Sequence, residues 1–284
     1  MKIRSMHIKD DNIVAAGSII ILMALAYGVV TPAIISQRYL SELDRDLLGV
    51  KASLNKVAAS ANLPVFTNPD VSLPERQVQL QSAIDAVQEA RTMLDNFDSS
   101  IQLFDLPGPS FTKSYREAKV REARSLRIGQ QSRQVLEDYA GLLQYLSAYT
   151  ALQAKLDGHL AQANTIKNFD ALAGRGRTMA AIASAIKNDE QALQELTPPA
   201  NFTALQAEAM ATFQRTATGF NKLAYGLNRA IDSQIYAAAR DLEVASYKNQ
   251  VNDKDALVAL ADSAPNLRQL VELPEKVEYA QEEV

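Results

Sequence analysis

The stretch LSELDRDLLGVKASLNKVAASA, Leu40 to Ala61, decides the fold. Its apolar positions Leu40, Leu43, Leu47, Val50, Leu54, Val57 and Ala61 fall alternately three and four residues apart for three heptads. A helix that turns once in 3.6 residues lines such positions along one side, so the segment reads as a helix whose seam is made to pack against other helices.

Toward the amino end this seam runs directly out of a different kind of helix. Between Asn12 and Gln37 no side chain is charged, and Ile13 to Ile35 (IVAAGSIIILMALAYGVVTPAII) supplies 23 residues. A hydrocarbon core of roughly 30 Å needs about 20 apolar residues at 1.5 Å each. One transmembrane helix is therefore expected, with its ends at Ile13 and Ile35, and no second stretch like it follows. Lys2, Arg4 and Lys9 crowd the short arm before the span, whereas Arg38 and Arg45 are more dispersed after it. Residues 1–12 are thus expected in the cytoplasm and everything beyond the span outside it, which makes the span a signal anchor in the cell membrane. The competing reading is a signal peptide cut after Ala24-Leu25-Ala26, which would leave the apolar run Tyr27 to Ile35 without a role. The chain has no cysteine, which excludes both a lipid-modified lipoprotein cysteine and disulfides. Ala24 and Gly28 form a small-xxx-small pair through which two spans could meet in a homo-oligomer.

Toward the carboxyl end, prolines divide the chain. Apart from Pro32 they fall in four groups: Pro64, Pro69 and Pro74; Pro107 and Pro109; Pro198 and Pro199; Pro265 and Pro274. Proline breaks helix interiors, so the groups mark turns and the tracts between them are predicted helices. The second helix is expected to begin at Leu73, with Ser72 as cap and Glu75 three residues on, and to carry Leu80, Ile84, Val87, Leu94, Phe97, Ile101 and Phe104. The third starts near Lys113, with Ile128, Val135, Tyr139, Leu142, Leu146, Tyr149 and Leu156 as its stripe. As one helix the proline-free tract from Ser110 to Thr197 would extend about 130 Å, so it must turn, at Gly174 and Gly176 or alternatively at Gly158. A helix from Thr178 to Leu196 follows. A long tract then runs from Pro199 to about Lys248, and Asp253 is expected to cap a last short helix ending near Leu260. No alternating β-branched run and no repeat of fixed period is present. The expected fold class is all-α: a single N-terminal transmembrane helix, then an extracytoplasmic bundle of long antiparallel helices with coiled-coil-like seams over 36–262, and an acidic C-terminal tail over 263–284.

Composition argues against several functions. A net charge of -4 gives no general attraction for nucleic acid. Beyond the span the chain offers a single histidine, His159, and Asp157 beside it lies roughly 200° around a helix, so the two share no face. No catalytic set, metal-ligand set or cofactor motif emerges, an enzyme is not expected, and His159 reads as an exposed or turn residue. Ala173-Gly174-Arg175-Gly176-Arg177-Thr178 superficially resembles a phosphate loop. It lacks the first glycine, the lysine and the preceding strand, so an inter-helix turn explains it. Asn201-Phe202-Thr203 fits a glycosylation triplet, and helix capping explains Asn201 equally.

Charge placement on the third helix is the strongest exterior feature. Lys113, Arg116, Lys119, Arg121, Arg124, Arg127 and Arg133 stand against Glu117 and Glu122, a local net of +5. Extending the apolar seam backward from Ile128 lands on Arg124, Arg121, Glu117 and Ser114. The first helix rises about 36 Å from the bilayer and the second, about 45 Å long, returns, which brings the basic turns near its surface. In one reading Lys113, Arg116, Arg124 and Arg127 contact anionic headgroups or an acidic envelope polymer. In the other, the basic turns pair with the acidic second helix through Glu75, Asp85, Glu89, Asp95, Asp98 and Asp105. The expected function is a membrane-anchored, non-enzymatic interaction or scaffold module of the cell envelope, with membrane lipid, an envelope protein or anionic polymer, or a second copy as partners. The alternative is a ligand-binding sensory bundle acting through a partner membrane protein.

Overall fold

The computed structural model describes residues 31–62, 68, 71–102, 113–164, 175–262 and 264–281, and among these every regular element is helical. The helices are α1 (Thr31–Ser60), α2 (Leu73–Gln102), α3 (Lys113–Asn164), α4 (Arg175–Glu195), α5 (Thr203–Arg229), α6 (Asp232–Asp262) and α7 (Ala264–Gln281), with a 3-10 turn at Ala200–Phe202 before α5. Two compact units divide the chain. The first comprises Met1–Leu54, Ala90–Arg133 and Leu273–Val284, and the second Asn55–Glu89 and Gln134–Glu272.

In the first unit the buried apolar positions of α1 are Tyr39, Leu43, Leu47, Val50 and Leu54, and α2 buries Ala90, Leu94, Phe97 and Ile101 in the same three-four rhythm. Tyr39 takes the inward position at the start of the seam, and Leu40, expected there, is half-buried. On α3 the seam does not stop at Ile128. From Leu136 it runs back through Ser132, Gly129, Ser125, Arg121, Ala118 and Tyr115, mostly small or polar residues that a search for apolar side chains passes over. Small inward residues let helix backbones approach closely, and Gly129 sits against Phe97. The segment from 263, expected as an acidic tail, is helical over Ala264–Gln281, because Leu270, Leu273 and Val277 repeat the seam spacing and are buried.

In the second unit α5 is buried on two sides and packs against both α4 and α6. Phe213 and Phe220 are fully buried, and each such ring contributes roughly 2–3 kcal/mol of hydrophobic stabilisation. The tract expected to run unbroken from Pro199 to Lys248 reverses at Ala230, whose left-handed backbone (φ 54) closes α5, while the Ile231 N–H donates back to the Gly226 carbonyl at 3.0 Å. α6 then runs through Asp253, which caps nothing and lies mid-helix. Likewise α3 passes through Gly158 without a break to Asn164. Gly174, the preferred break, lies outside the described residues. Gly176 belongs to α4, where a Cβ would collide with the Asn228 side chain of α5. Asn201 lies in the 3-10 turn, and the cap position of α5 is Phe202, without a side-chain capping bond.

Among the described residues no helix is long and apolar enough to cross a membrane. Residues 1–12, expected as a cytoplasmic arm, and the expected span Ile13–Ile35 lie outside them, except for Thr31–Ile35, which form the described beginning of α1.

Candidate functional site

The basic turns of α3 separate into inward, paired and outward residues. Arg121 is buried and forms an ion pair with Asp44 of α1. Arg133 donates to the Leu94 carbonyl at 2.8 Å and reaches Asp98 at 2.5 Å and Asp95 at 3.5 Å on α2. Arg124, half-buried, lays its guanidinium 5.0 Å from the Tyr279 ring centroid of α7 and donates to the Tyr279 carbonyl at 3.3 Å. Lys113 and Lys119 pair within their own helix, with Glu117 at 3.3 Å and Glu122 at 3.0 Å. Arg116 and Arg127 are exposed and, among the described residues, make no ion pair. Of the four residues expected to meet an anionic surface, Lys113, Arg116 and Arg127 therefore point outward and Arg124 turns to Tyr279. The acidic partner on α2 is confirmed for Arg133, but α1 supplies the partner of Arg121.

A second cluster lies inside the second unit, and the apolar stripes did not reveal it. α3 directs Tyr149, Gln153 and Asp157 inward at successive four-residue steps, one above the other on one face. α6 directs Asn249, Asn252 and Asp253, α2 supplies Arg76, and α5 supplies Thr212. Arg76 and Asp253 form an ion pair at 2.5 Å. Asn249 Nδ2 donates to Asp157 Oδ1 at 2.6 Å, and Asn252 Nδ2 donates to Thr212 Oγ1 at 3.0 Å. Burial raises the Asp157 carboxyl above its ordinary range, against the Asn249 donor that pulls it down. Burial raises Asp253 as well, opposed by Arg76 and reinforced by Asp157.

Beside these carboxylates the Tyr145 and Tyr149 rings stack at 6.0 Å, and Phe202 meets Tyr145 edge-on at 5.4 Å. Burial pushes the Tyr145 hydroxyl up to about 12 and raises Tyr149 further, with Tyr145 and the α6 carboxylates adding to it and the nearby Gln153 amide opposing. Gln153 is 1% exposed. Among the described residues its Oε1 and Nε2 make no hydrogen bond, nor do Tyr149 Oη and Asn249 Oδ1, all of them buried. Such groups cost about 1–3 kcal/mol each when left without partners. The cluster thus holds the acceptors Gln153 Oε1 and Asn249 Oδ1 beside the donor Gln153 Nε2 and the Tyr149 hydroxyl. Among the described residues no group of His, Cys, Asp and Glu is arranged to hold a metal ion.

His159, expected at a turn or in solvent, is in the body of α3 and largely buried, with Nε2 3.7 Å from Asp189 of α4. Asp157, on a different face, turns to α6, as the roughly 200° offset requires. Asp189 also holds Lys155 at 3.0 Å, so its carboxylate lies between the two α3 side chains. No family model, no curated protein and no solved structure matches the chain.

Proposed function

We propose that this chain is a membrane-anchored helical module that works outside the cytoplasm by binding partners rather than by transforming a substrate. The observation that carries the reading is the charge-free stretch Ile13–Ile35, which leads without a break in pattern into α1. Ile34, 60% exposed, and Ile35 stand outward at the described end of that stretch, where a helix leaving lipid needs apolar side chains on its outer face. The three-four seams support coiled-coil-like packing of the helices. Lys113, Arg116 and Arg127 are the outward charges available to an anionic partner. A proximity-labelling enzyme fused at Val284 tests the reading, since extracytoplasmic neighbours are expected and a purely cytosolic set would overturn it.

The buried polar cluster favours a second reading, a ligand-binding bundle that signals through a partner membrane protein. Gln153, with both amide atoms unsatisfied in a helix interior, is the observation behind it. A thermal-shift screen of small polar molecules separates the two. A ligand that raises the melting temperature of the native chain but not of Gln153→Leu supports the sensor, and a screen without such a ligand leaves the scaffold.

A further inference from the structure

Helix α6 carries two faces. The first, Ile235, Ala238, Leu242, Ala245, Asn249 and Asn252, is buried in the second unit. The opposite face presents Tyr236 and Tyr247, each 66% exposed, and Val244 at 47%, together with the exposed charges Arg240 and Glu243. Large exposed aromatics at helical spacing are uncommon on a surface that meets only water, and Tyr with Arg is the composition of interface hot spots. Among the described residues neither Arg240 nor Glu243 makes an ion pair, so both charges of the stripe are free for a partner.

We propose that this face joins two copies of the chain, α6 against α6, antiparallel about a twofold axis. With the axis between Asp241 and Leu242, Tyr236 lies opposite the partner's Tyr247, and Arg240 opposite the partner's Glu243. Every contact occurs twice, as an isologous interface demands. The parallel arrangement would place Arg240 against the partner's Arg240 and Glu243 against the partner's Glu243, and like charges exclude it. The stripe is complementary to itself in charge. A partner recognised by a single sign of charge would find no match there.

Sedimentation velocity on the full chain in mild detergent tests the interface through charge reversal. Arg240→Glu alone and Glu243→Arg alone each set like charges across the axis twice and should raise the dimer dissociation constant roughly tenfold or more. An equimolar mixture of the two variants restores opposite charges and should return dimerisation to the native level. Because both residues are exposed, helicity should stay unchanged. Register is read by crosslinking, for which the absence of cysteine gives a clean background. Tyr236→Cys mixed with Tyr247→Cys should link through a short bismaleimide, and neither variant alone should. A native chain monomeric at every concentration overturns the proposal. So does a dimer indifferent to both reversals, as association through Ala24 and Gly28 would be, or Tyr236→Cys linking to itself as readily as to Tyr247→Cys.

Discussion

Asp157 occupies a seam position of α3, where its neighbours in the three-four rhythm are Gln153 and Leu160, and half-burial there works against its charge. Since burial raises its carboxyl in the folded chain, the folded state binds the proton more tightly than the unfolded one. The associated stability is complete below the unfolded value of roughly 4 and is lost as pH rises through the folded value. Asp157→Asn removes that loss while its side-chain oxygen can still accept from Asn249. Melting temperature measured from pH 4 to pH 8 should therefore be higher for the variant at neutral pH, with the two chains converging in acid. Asp253 behaves differently because its partner, Arg76, is buried. Asp253→Ala strands a guanidinium and should cost about 3 kcal/mol in urea unfolding, whereas a change to Asn, which still accepts a hydrogen bond, should cost less. Neither aspartate was legible as a site in the sequence. Reading stripes from apolar residues alone discards the seam positions that carry Gln153, Asp157, Asn249 and Asn252, although their spacing continues the seam of their own helices.

At the scale of elements, the α5–α6 hairpin shows why some boundaries were readable and others were not. Ser72 before Leu73 and the Pro198-Pro199 pair announced their boundaries through backbone chemistry, and α2 and α4 respect them. The reversal at Ala230 has no glycine or proline at the turn itself, and the small residues that make it possible lie inside the helix. A Cβ on Gly226 would come within 3.1 Å of the Ile235 backbone nitrogen, and one on Gly219 within 2.8 Å of Leu242 Cδ2. Backbone cannot yield as a leucine methyl can. Gly226→Ala should therefore destabilise by about 2 kcal/mol, and Gly219→Ala by less, as Leu242 shifts rotamer. At Ala230 the sign reverses. A left-handed backbone strains an L side chain by roughly 1 kcal/mol, so Ala230→Gly should raise the unfolding free energy by up to that amount in calorimetry.

For the whole molecule, the all-α class followed from the heptad spacing of Leu40 to Ala61 together with the proline-bounded helical tracts after it and the absence of alternating β-branched runs. The fate of the basic turns did not follow, since the register of α3 depends on Ser125, Gly129 and Ser132, which carry no hydrophobic signal. That register decides which arginines serve the fold and which serve a surface. Arg121 and Arg133 hold α3 to α1 and α2, so replacing both with glutamine should lower the melting temperature by several degrees, the consequence of losing about 2 kcal/mol or more of partly buried pairing. Among the described residues Arg116 and Arg127 make no ion pair or hydrogen bond that supports the helix, and replacing both with glutamine should leave melting unchanged. If the outward face of α3 meets an anionic bilayer, the same double change should reduce binding to phosphatidylserine vesicles roughly 25-fold at low salt, from about 1 kcal/mol for each basic side chain near the surface. That difference should shrink as salt shortens the reach of the charges. Vesicle binding that falls with Arg121→Gln and Arg133→Gln but not with Arg116→Gln and Arg127→Gln would assign the anionic contact to the wrong face of α3.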